Sequence, residues 1–111
     1  MPRIHEAGLI SENAKAVQES LLGCLLREPA LIDQVAAKLK TEMFDSNFGR
    51  VYAAVLAVRN GNTPVDLVSV GQELIKRNNI PDIGGYPGLV RIWESVPTAF
   101  EVWHWVEIIL R

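Results

Sequence analysis

At 111 residues the chain is long enough for one hydrophobic core and too short for a second domain, and an apolar content of 49% argues against disorder. Eleven basic against thirteen acidic residues leave a formal charge of −2, without the basic surplus by which a protein grips nucleic acid through phosphate alone. Cys24 is the only cysteine, which excludes an intrachain disulfide and a cysteine-rich metal site. No apolar run is long enough to span a bilayer and the N-terminus lacks a charged-then-apolar signal pattern, so the expected location is cytoplasmic and no membrane partner is expected.

Residues 1–12 mix Pro, Gly and polar residues without a sustained period and read as a flexible N-terminal arm. His5 beside Glu6 falls in this arm, where a lone histidine is read as exposed and idle. A first helix is expected from about Asn13 to Arg27, with Val17, Ser20, Leu21 and Cys24 on one stripe and Leu22, Leu25 and Leu26 widening it. So broad an apolar face implies contacts on two sides, and Gly23 in its middle marks a close helix crossing. Pro29 suits the first turn of a second helix, whose buried face is Leu31, Ile32, Val35, Ala36 and Leu39, with Asp33 near the positive end of its dipole. The pattern breaks from Thr41 to Asn47, where Phe44 reads as a core plug. A third helix from about Asn47 to Asn60 turns Phe48, Val51, Tyr52, Val55 and Leu56 inward, and Asn60-Gly61-Asn62 stops it.

The stretch from Thr63 to Tyr86 holds a complete helix with both end signals. Asp66 is the expected N-cap of a helix beginning at Leu67, with Leu67, Val70, Gly71 and Leu74 on one face and Gln72, Glu73, Lys76 and Arg77 on the other. Asn78-Asn79 can take the left-handed conformation, Pro81 prevents continuation, and Gly84-Gly85 permits a bend. Gly71 on the buried face costs about 1 kcal/mol of helix propensity, so its use is to admit a close neighbour. A fifth helix follows from Tyr86 to Ser95, with Tyr86, Leu89, Val90 and Trp93 at helical spacing. The last is expected to open with a capping box, Thr98-x-x-Glu101, and to turn Val102, Trp105, Val106 and Ile109 inward. Phe100, Trp103 and Ile108 lie outside that arc or on its rim.

No segment alternates with strand period, so the expected fold is all-α, a compact bundle of about six helices over residues 13–111. Its expected core is Leu21, Cys24, Val35, Leu39, Phe44, Val51, Val55, Leu67, Val70, Leu74, Leu89, Trp93, Val102, Trp105 and Val106. The helical pattern is still running at Arg111, which reads as a domain cut from a longer chain, with a frayed natural C-terminus as the alternative.

Catalytic chemistry is not expected. A phosphate-binding loop of the G-x-x-x-x-G-K-[ST] type is absent from the sequence, and Gly84-Gly85 followed by Tyr86-Pro87 reads as a turn. His5 and His104 lack the i, i+4 histidine or nearby cysteine of a metal site. His104 shares the last helix with Glu101 and Glu107 but faces away from its core stripe, as a surface residue does. No catalytic, cofactor-binding or metal-binding residues are therefore assigned.

Three segments together carry a family resemblance. Gln18-Glu19-Ser20-Leu21-Leu22-Gly23-Cys24-Leu25-Leu26, Pro64-Val65-Asp66-Leu67-Val68 with Glu73-Leu74 and Ile83-Gly84-Gly85, and Val96-Pro97-Thr98-Ala99 resemble, in order and spacing, the N-terminal domain of DnaB-type replicative DNA helicases. The resemblance covers roughly Ala14 to Arg111. It departs at Gly49-Arg50, where the family usually has His-Arg, and at Glu101, where it usually has Asn.

The resemblance implies a non-catalytic N-terminal domain serving ring assembly and docking of primase or a helicase loader during DNA replication. It implies self-association as a trimer of dimers in the full-length family, with a monomer or weak dimer expected for this segment. ATP and Mg belong to the family's motor, outside this segment, so no cofactor is expected here and no strong DNA binding by this domain alone. Two further readings stay open: a stand-alone helical protein-interaction module, and a small helical DNA-binding module built on the Lys76-Arg77 end of the fourth helix. The candidate interface is Phe100 and Trp103, unless the arm or the fifth helix covers them, with Leu22, Leu25 and Leu26 as a second candidate surface.

Overall fold

The computed structural model describes the backbone of residues 4–111 and the side chains of residues 14–111. Among these, six α-helices and three short 3-10 turns follow one another with no strand: α1 (Ile4–Arg27), α2 (Ile32–Ala36), α3 (Ser46–Asn60), α4 (Leu67–Lys76), α5 (Gly85–Glu94) and α6 (Val102–Leu110). α1 is the axis, packing against α3, α5 and α6, while α4 packs on α3 and α5. It begins at Ile4 rather than near Asn13. Ala7, Leu9, Ile10 and Glu12 have adequate helix propensity without forming an apolar stripe, so periodicity gave no signal for this part. Met1–Arg3, and the side chains of the stretch expected to be an arm, His5 and Glu6 included, lie outside the described residues.

Gly23 sits where α1 crosses α5, and a β-carbon there would lie 2.6 Å from the Ile92 carbonyl oxygen and 2.8 Å from Ser95 Oγ. Only a residue without a side chain permits that crossing. Below it, Arg27 donates from Nε to the Trp93 carbonyl at 3.1 Å, and its guanidinium lies 3.9 Å from the Trp93 ring centre. This cation–π contact closes the C-terminal end of α1 onto α5.

The second helix is shorter than expected. Pro29–Leu31 form a 3-10 turn, and α2 ends at Ala36 because Lys38 and Leu39 both donate back to the Val35 carbonyl. Leu39 remains buried, and the buried Tyr52 hydroxyl of α3 donates to its carbonyl at 2.9 Å. Burial raises the Tyr52 pKa to about 12, which keeps that donor protonated. Phe44 stacks on Tyr52 with ring centres 4.6 Å apart and is buried in the core as the expected plug.

α4 has the expected cap. The Asp66 carboxylate accepts from the Ser69 N–H at 2.8 Å while Ser69 Oγ accepts from the Asp66 N–H at 3.0 Å, a reciprocal box with serine as the return partner. Asn78 takes a left-handed φ of 59° after the helix, and Gly84 and Gly85 carry φ of 86° and 71° through the bend into α5. The Tyr86 ring then lies directly on Gly71, so the close approach that the glycine admits is an aromatic side chain from α5.

Most of the expected core is buried, but Leu67, Trp93 and Trp105 are only partly so, packed against its edge.

Candidate docking surface

α6 starts later than its sequence signal suggested. Thr98 Oγ1 accepts from the Phe100 N–H at 3.2 Å, a local turn, and Glu101 occupies the N-cap without a side-chain cap bond. The expected Thr98–Glu101 capping box is therefore not formed, because residues 98–101 are spent on that turn and the first helical residue is Val102.

This turn sets the exposure of the aromatics. Val102 and Val106 point into the core and Ile109 packs against it, so α6 meets α1 along that arc. Phe100, held in the turn, is 91% exposed, and Trp103, one residue past the inward Val102, is 39% exposed. Leu110, also exposed, continues the same flank as Trp103 at i, i+7. Among the described residues α5 does not cover Phe100, and Trp103 is partly covered; the side chains of the arm, the other segment expected to cover them, lie outside the described residues.

The second expected surface is different. Leu22 and Leu25 are fully buried and Leu26 nearly so. They are no candidate interface, because α1 is flanked by α3, α5 and α6 and these three leucines are absorbed inside the domain.

Behind Phe100 lies a cavity of about 450 Å³ between Ser20 of α1, the Ser95–Thr98 loop, Glu101 and Trp105. The Trp105 indole N–H is buried beside it without an acceptor among the described residues. Ser95 Oγ lies 3.2 Å from the Glu19 carbonyl and 2.6 Å from that of Ile92, pinning the loop to α1 and α5. The Cys24 thiol faces the same loop, 3.9 Å from the Thr98 carbonyl. Its pKa is pushed up to about 11 by burial and then by the Glu101 carboxylate, so it is a protonated packing group at neutral pH and not a nucleophile.

A second cleft, of about 460 Å³, opens between Lys15 and Glu19 of α1, the start of α3, Asp82 and Arg91. No group of three His, Cys, Asp or Glu side chains is placed to hold a metal among the described residues, and no helix there is long and apolar enough to cross a membrane. His104 is exposed and lies against the neighbouring Trp105 ring, with centres 5.0 Å apart.

One apolar stripe escaped the sequence reading. Val68 and Ile75, seven residues apart on the outer side of α4, are 60% and 48% exposed. Their spacing is two helical turns, so asking what faces outward, as well as what faces inward, would have found them.

Comparison with known proteins places this geometry. Residues 11–111 match a family model described as the DnaB-like helicase N terminal domain. The chain is 27% identical over 93 residues to the replicative DNA helicase DnaC of Bacillus subtilis, covering 83% of this chain and 20% of that protein. It is 30% identical over 95 residues to the replicative DNA helicase DnaB of Mycobacterium leprae, covering 85% of this chain and 16% of that protein. Its fold superposes on the crystal structure of the N-terminal domain of DnaB helicase from Mycobacterium tuberculosis with a TM-score of 0.81 and 32% identity, over 85% of this chain and 66% of that one. The chain thus spans about a fifth or less of the length of the replicative helicases it matches.

Proposed function

The chain belongs to the family of DnaB-like helicase N-terminal domains, and from that membership we propose that it is a non-catalytic assembly and docking module of a replicative DNA helicase. In this reading it joins copies of itself within a helicase ring and offers a face to primase or a helicase loader in the cytoplasm, while ATP and Mg are handled by a motor outside this segment. The observation that carries the docking role is the near-complete exposure of Phe100, at 91%, next to the half-exposed Trp103 and Leu110 on one flank of α6. Exposed aromatics with few rotatable bonds are typical interface anchors, since they gain large contact area at small entropic cost.

Two measurements on the purified chain test the reading. Titration with primase and with a loader protein by calorimetry should give a complex that Phe100→Ser with Trp103→Ser weakens, and no complex with either would contradict the docking role. ATP turnover should be absent; turnover removed by a point change within the chain would overturn the non-catalytic assignment.

A further inference from the structure

We draw no further inference here: the strongest candidate, the cleft between α1, the start of α3 and α5 lined by Lys15, Glu19, Asp45, Asp82 and Arg91, sets acids and bases around one opening and selects no single ligand chemistry, so nothing in the structure shows what covers it.

Discussion

Leu74 and Phe100 mark the two extremes of what an apolar side chain does in this domain. Leu74 on α4 is fully buried, so Leu74→Ala removes transfer free energy and leaves a cavity, at a cost of about 2–5 kcal/mol. A chemical-denaturation midpoint unmoved by that change would mean the core is wrongly assigned. Phe100→Ser, at a site 91% exposed, should leave the same midpoint within about 0.5 kcal/mol of the parent. Gln18 is the buried polar exception among the described residues: its Oε1 accepts from the Asp45 N–H at 2.8 Å and ties α1 to the start of α3. Gln18→Leu leaves that N–H without its partner, at a cost of about 1–3 kcal/mol, which a urea titration would resolve. That Gln18 is buried was not legible from sequence. A glutamine on a helix stripe reads as solvent-facing unless the acceptor it must supply is already known.

Between elements, the Gly71–Tyr86 contact joins α4 to α5 and makes a prediction of sign. Alanine gains about 1 kcal/mol of helix propensity over glycine, yet a β-carbon at Gly71 would run into the Tyr86 ring. Gly71→Ala should therefore destabilise the parent but stabilise a Tyr86→Ala background, and a double-mutant cycle by denaturation measures the reversal. If both backgrounds respond alike, the ring does not rest on that glycine. The bidentate pair between Arg59 of α3 and Asp33 of α2, at 3.1 and 2.8 Å, adds a pH-dependent tie. The hydrogen bond from Arg59 holds the Asp33 carboxyl below its ordinary range. A depressed folded pKa means the contribution is present above the unfolded pKa and is lost as pH falls through the folded one. The melting-temperature advantage of the parent over Asp33→Asn should thus be small, because the pair is exposed, and should vanish in acid. Signals of this local kind were the ones the sequence carried well: Asp66, Asn78, Pro81 and Gly84-Gly85 act within a few residues of themselves, and the structure places all of them at helix ends. The Thr98–Glu101 signal misled because a capping box and a threonine turn share the same residues, and only the backbone chooses between them.

For the whole molecule, helical periodicity separated inside from outside but could not say which inside. Leu22, Leu25 and Leu26 are as apolar as an interface and are buried by α1's neighbours, because the number of helices around an axis is a tertiary fact. Phe100 and Trp103 were legible as surplus beyond the one inward arc of the last helix, but the turn that exposes Phe100 ahead of α6 was not. Whether that surplus anchors an interface is read out by self-association, measured by sedimentation over a range of concentrations. If these residues are interface anchors, each contributing about 2 kcal/mol or more, Phe100→Ser with Trp103→Ser should weaken association by roughly several hundredfold with unchanged melting. Undiminished association together with a lowered melting temperature would place Trp103 in the structural core and contradict the docking surface.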